Sequence, residues 1–323
     1  ALLSSLKETT LSLTLNSELC QHEDSLRAES SSFRLSGLRF SLPLPHRVVV
    51  GASVQRRFDM DFDMASVSGA ADTIAYTRSI KSRGGIYSTS ISLAREVGDL
   101  VSFGGSFNFL SGYGLEEWTT EFNNPGVRPS LDSLKHEYSG SNSTFGVLAK
   151  IRDALSFGVS LTTPTTLKAE LEVVSPAGSR SEEQTYTLPL TYAFGAAYVT
   201  EGRLLIASDL VVYPWANASL NGGPGGQFSN TKRFALGVEL LPAKDELALP
   251  FRRLPLRIGY SNSPWYCETA KGRIAEQLLT FGSTLFLHTG QIDLSLEVGE
   301  RKGGDLRERV WRGGITLSGR ERW

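Results

Sequence analysis

Three aspartates at alternate positions, Asp59, Asp61 and Asp63, form the most suggestive chemical spacing in the chain. Carboxylates two residues apart on an extended strand share one face, where they could hold a cation or line a watery surface. Arg78, Lys81 and Arg83 follow on the next predicted strand. The simpler reading is therefore a luminal charge row, with acids facing bases and no ligand bound. The remaining ionisable groups carry less. His22, His46, His136 and His288 fall in predicted loops, turns or strand ends, without metal-ligand spacing or a Ser/Asp partner in a motif. Cys20 and Cys267 form no metal or redox motif; in an oxidising compartment they could pair, and otherwise they are two thiols. No Gly-rich loop opens a helix to cradle phosphate. The expectation is a protein that is not an enzyme and has no metal or cofactor. A net charge of −1 gives no basis for a nucleic-acid partner.

Aromatic residues offer a second constellation. Trp118, Phe122, Tyr213, Trp215, Trp265 and Tyr266 all fall toward one end of the predicted strands, near the longer loops. Two readings stand: a girdle of amphipathic rings at lipid headgroup level, or a ligand-binding port for an apolar molecule. Tyr213 and Trp215 share parity with Asp209, which places these two on the luminal side. Pro189 lies inside a strong strand, where it removes a ladder hydrogen bond, and the apolar parity changes at Gly84–Gly85. Gly84, Gly85 and Pro189 are candidates for a lateral opening in a sheet wall, or are structural kinks.

The elements that must position these residues are strands. Arg47 to Met64 places Val48, Val50, Ala52, Val54, Arg56, Phe58, Met60, Phe62 and Met64 at even positions, against Ser53, Gln55, Arg57 and the three aspartates at odd ones. A period of two over some eighteen residues is about three times an ordinary soluble strand. It suits a tilted strand crossing lipid, apolar face outward and Asp-rich face inward. Similar alternation recurs, for instance at Val101–Phe109, Phe145–Ile151, Tyr186–Tyr198, Leu204–Val212 and Ile292–Val298. PLPH, VGD, RDA, TEG and HTG make short turns, alternating with longer or more polar connections such as QHEDSLRAESSS, NNPGVRPSLDS and residues 175–183. The count is fourteen strands. Residues 1–323 therefore read as a single domain, an all-β, 14-stranded antiparallel transmembrane β-barrel, with outer-membrane lipids as its surroundings. No run approaches a membrane helix, although hydrophobic residues make up 40% of the chain. A soluble all-β protein is the rival fold, disfavoured by so large a belt of Leu, Val and Phe.

The segments PTTLKAEL (164–171), LPLTYAFGAAYVTEGRLLIASDLVVYPW (188–215), LPLRIGYS (254–261), IDLSLEVGERKGG (292–304) and WRGGITLSGRERW (311–323) together resemble the FadL-type outer-membrane transporters. That family carries long-chain fatty acids and other hydrophobic compounds. The resemblance implies a location in the outer membrane of a Gram-negative-type bacterium. It also implies passive movement of a hydrophobic small-molecule ligand, captured between outer loops and released sideways through the wall. The family's pore is normally blocked by an N-terminal plug. ALLSSLKETTLSL resembles the start of its first strand, so the plug either precedes this sequence or is dispensed with. Similar barrels also serve as subunits of outer-membrane secretion complexes, which makes a partner protein the alternative to a ligand.

Overall fold

In a computed structural model the described residues are 8–22, 29–71, 74–124, 126–151, 154–176, 178–200, 203–221, 223–224, 228–243, 253–269, 272–304 and 306–321, with only the backbone described at 22, 29–31, 62–71, 74, 223–224 and 267–269. Alternating sequence becomes fourteen barrel strands. They are β1 (Thr9–His22), β2 (Glu29–Leu44), β3 (Val48–Asp59, continued as Phe62–Ala71), β4 (Ile74–Val97), β5 (Val101–Phe122), β6 (Ser130–Ile151) and β7 (Leu155–Thr162, continued as Thr165–Ser175). The others are β8 (Gly178–Leu188, continued as Thr191–Val199), β9 (Leu204–Tyr213), β10 (Thr231–Leu240), β11 (Leu256–Thr269), β12 (Gly272–Leu287), β13 (Gly290–Gly303) and β14 (Leu306–Glu321). Each strand pairs antiparallel with its neighbours, and β14 returns to β1 from Thr9↔Glu321 to His22↔Glu308, closing the barrel. Closure removes the free edges that an open sheet of this width would expose.

The two faces differ as the alternation requires. Ile91, Leu93, Phe107, Phe145, Val159, Phe194, Phe281 and Ile315 are exposed on the outer face. Between them Ser88, Ser90, Ser92, Ser106, Asn142 and Thr144 line the lumen. Hydrogen bonds run around that inner wall: Asn108 Nδ2 donates to Asn142 Oδ1 (2.7 Å), and Asn142 Nδ2 to Thr165 Oγ1 (2.7 Å). The end where β1 starts and β14 finishes is the terminal end, and the opposite one the distal end. At the terminal end, Arg47 in the Pro45–Arg47 turn donates to the Gly98 carbonyl and to Asp99, both at 2.7 Å, linking two turns.

The structure departs from the sequence reading at the distal end. Residues 175–183, expected as a polar loop, are mostly strand, with Ser175 opposite Gly178 in a tight hairpin. Much of QHEDSLRAESSS likewise extends β1 and β2. A backbone ladder satisfies its own polar groups whatever the side chains are, so strands continue past the apolar belt where alternation no longer marks them. The long strand expected over Arg47–Met64 is broken at Met60–Asp61.

Candidate functional site

The lumen is crossed by an apolar collar. Ile86 (β4), Leu110 (β5) and Leu167 (β7) are buried, with Phe58, Met60, Tyr138 and Tyr186 packed against them. Strict alternation would send Phe58 and Met60 outward to lipid with Val54. A register shift between Arg56 and Phe58, where β3 pairs with β4, instead turns them inward. Tyr138 stacks on His136 at 5.7 Å. His136 lies within β6, half-buried, with neither ring nitrogen hydrogen-bonded and Nε2 4.0 Å from Glu116 Oε1.

Beside the collar the wall is incomplete. The β2–β3 ladder runs only from Gly37↔Gln55 to Leu44↔Val48. Farther out β2 pairs with β1 and β3 with β4, and among the described residues no rung joins β2 to β3. Charged side chains bridge this seam. Arg34 of β2 contacts Asp59 and lies 3.3 Å from Asp61 Oδ2, while Arg56 lies 3.2 Å from Asp59 and 3.0 Å from Asp61. Asp61 also accepts from the Gly84 N–H (2.7 Å), and the Gly84 carbonyl accepts from the Met60 N–H (3.2 Å) and from Arg56. Gly84 has φ 128°, and a Cβ there would sit 2.1 Å from the Tyr113 carbonyl oxygen, so the kink requires glycine.

Only part of the expected charge row assembles. Asp59 and Asp61 come together, but their partners are Arg34 and Arg56. Arg78 donates to Thr120 (3.2 Å) and lies over the Tyr76 and Trp118 rings. Lys81 and Arg83 are exposed, on the face opposite buried Ser82 and Ile86. The Asp63 side chain lies outside the described residues, although its backbone is opposite Lys81. The parity change at Gly84–Gly85 is also not an inserted residue in β4, since the β4–β5 register runs through it unbroken. The register shifts belong to β3.

A second interruption lies across the barrel. Thr163–Pro164 of β7 faces Pro189–Leu190 of β8, between the pairs Thr162↔Thr191 and Thr165↔Leu188. Two prolines side by side remove the donors that a continuous ladder needs. Distal to this point, among the described residues, the far edge of β8 pairs with Ser219–Leu220, and Thr185 bonds Asn221. Three of the six expected aromatics meet: Tyr213 stacks on Trp215 (6.1 Å) and Trp215 packs tilted against Tyr266 (4.6 Å), with Phe228 joining Tyr266 at 5.4 Å. Trp265 instead sits 5.1 Å from the Arg301 guanidinium, Phe122 packs on Tyr76, and Trp118 donates to Glu116. The six thus divide among separate places.

Sequence reasoning missed a half-buried ion network on β1, β12, β13 and β14. Arg312 reaches Glu18 (2.7 Å), Glu276 (2.7 Å) and Glu297 (3.5 Å); Arg301 reaches Glu276 (2.7 Å), Glu308 (2.5 Å) and Glu18 (3.6 Å). Each residue stands at an inward parity in its own strand, a signal that was present, but the pairing across four strands was not. Cys20 lies beside the network as a free thiol donating to Glu18 (3.1 Å), so no disulfide forms; the Cys267 side chain lies outside the described residues.

The BamG family model matches residues 1–323. The chain belongs to the BamG family. No curated protein sequence matches it. Among solved structures it is similar to a FadL homologue of Pseudomonas aeruginosa (12% identity, TM-score 0.66, covering 99% of this chain and 91% of that one). It is also similar to the toluene transporter TbuX of Ralstonia pickettii (13%, 0.62, 97% and 89%) and to the toluene transporter TodX of Pseudomonas putida (15%, 0.61, 100% and 91%). At these identities the likeness is one of fold. The FadL resemblance read from sequence therefore holds for the fourteen-stranded barrel, and the family is BamG. The segments that carried the resemblance are strand-and-turn patterns, which report barrel architecture more than family.

Proposed function

We propose that this barrel is an outer-membrane conduit for hydrophobic small molecules, which leave sideways at the β2–β3 seam. The supporting observation is the junction of the collar with the seam: Phe58 and Met60 belong both to the apolar cluster and to the distal part of the kinked strand, which has no rung to β2 among the described residues. Apolar ligands partition onto such a surface without an energy source. The exit leads toward lipid and away from the polar half of the lumen. The solved toluene transporters of similar fold agree with this reading. The test is uptake of radiolabelled toluene into cells bearing the barrel. Met60→Trp, which fills the collar, should lower the uptake several-fold at equal surface expression. Uptake independent of both the barrel and Met60 would refute the proposal.

A second reading has its own support. Distal to Pro189, the far edge of β8 is engaged among the described residues at Thr185, Tyr186 and Thr187, leaving Gly178–Gln184 without a ladder there, and an unpaired strand edge accepts another chain. With BamG family membership, this supports a role as a partner-holding subunit of an outer-membrane complex. Stoichiometric co-purification with another protein, lost when Ser181 and Glu183 are replaced by proline, would favour it; recovery of the barrel alone would count against it.

A further inference from the structure

On the terminal side of the collar the lumen opens into a cavity of about 840 Å³. Its wall carries hydroxyls and amides, among them Ser53, Ser90, Asn108 and Thr144, and four arginines, Arg39, Arg56, Arg57 and Arg233; no aspartate or glutamate lines it. Arg56 is committed to Asp59 and Asp61. Arg39, Arg57 and Arg233 are exposed to the cavity and form no ion pair among the described residues. With its side-chain amide turned to present oxygen, Gln55 accepts from Arg39 Nε (2.8 Å) and Nη2 (3.1 Å), orienting that guanidinium without neutralising it. Asp209 borders the adjoining space with Arg233, yet no ion pair joins them. Uncompensated guanidinium groups in a walled cavity focus positive potential, and their planar forks match oxyanions. Elsewhere in the lumen, Arg301, Arg312 and Arg257 each have carboxylate partners. This chamber instead holds three guanidinium groups with no carboxylate partner among the described residues.

We infer that the terminal-side chamber is an oxyanion-binding site, taking a phosphate-type group held by Arg39 and Arg233 with hydroxyl donors around it. The inference does not rest on the apolar route proposed above. The phosphate could be free in solution or the headgroup of a lipid, and the experiment separates the two. Isothermal titration of the detergent-solubilised barrel would use inorganic phosphate and, separately, dihexanoyl phosphatidylglycerol, with Arg39→Gln, Arg233→Gln and, as control, Lys232→Gln on the opposite face of β10. Loss of one charge-assisted contact should weaken binding about tenfold in each arginine variant and leave the lysine variant unchanged. Heat-modifiable gel migration verifies that every variant is folded. Arginine-dependent binding of phosphate identifies a free oxyanion, and arginine-dependent binding of the lipid alone identifies a headgroup. Binding of neither, or equal binding in wild type and both arginine variants, overturns the assignment.

Discussion

Replacing Arg312 by Met tests whether the half-buried ion network helps to hold the barrel closed. Arg312 sits opposite Glu18 across the β14–β1 junction and opposite Glu297 across β13–β14. Without it, Arg301 stays within reach of Glu18 (3.6 Å), Glu276 (2.7 Å) and Glu308 (2.5 Å). Breaking a buried pair on one side costs about 3–5 kcal/mol, because the abandoned charge stays buried. Here the Arg312 and Glu276 side chains are 25% and 12% exposed toward a watery lumen, which screens part of that penalty. The expected loss is about 2–3 kcal/mol. The assay is urea unfolding in lipid vesicles followed by tryptophan fluorescence, with the urea slope checked for constancy. A double-mutant cycle with Glu276→Gln should then return a coupling of about 1–3 kcal/mol, the double variant losing less than the sum of the singles. A loss below about 0.5 kcal/mol for Arg312→Met, or strict additivity, would refute the reasoning.

Further tests follow from faces and packing. Cys20 is 6% exposed, in a cluster with Leu278 and Val310; in a Cys267→Ser background a charged maleimide should label it only after unfolding, as read by intact mass. Phe107 is 44% exposed on the outer face; Phe107→Arg should cost about 2–4 kcal/mol in vesicles if it lies near the lipid midplane, whereas inward Ser106→Gln should change stability by about 0.5 kcal/mol or less. Gly84→Val must fit a branched side chain at φ 128° against the Tyr113 carbonyl. It should cost about 3 kcal/mol or more, seen as loss of the heat-modifiable folded band. Gly313, where a Cβ meets nothing within 4 Å, should accept alanine with the band intact.

The barrel was legible because lipid outside and water inside impose period two on every strand that crosses. Val101–Phe122 was read at the boundaries it adopts, and fourteen strands were counted. Beyond the apolar belt that constraint ends, and Gly178 to Glu183, the first half of a strand that runs to Leu188, was mistaken for loop. Pro189 was legible as an interruption, but that Pro164 stands beside it is a fact of pairing between two strands. Phe58 and Met60 show how far alternation can mislead: they keep the parity of Val54 in sequence, and a register shift reverses the face they occupy. Arg34 gave no signal, since its partners lie on a strand with which its own part of β2 forms no ladder among the described residues.

That last point bears on how the seam can work. A continuous β2–β3 ladder would add a backbone hydrogen bond at each rung, about 0.5–1.5 kcal/mol apiece, and would have to break as a unit to let anything through. Arg34, Arg56, Asp59 and Asp61 close the same gap with side chains, whose rotamers change without disturbing the strands that carry them. Asp61 has a double attachment, to Arg56 and to the Gly84 N–H, so the kink keeps its shape when Arg34 swings away. Arg34 is then the movable half of the clamp and Asp61 the fixed half. Asp61→Asn should therefore weaken both clamp and kink, while Arg34→Gln should loosen only the seam. Hydrogen exchange at Phe58–Met60 separates the two: faster exchange in Asp61→Asn with unchanged exchange in Arg34→Gln fits this division, and equal acceleration in both contradicts it.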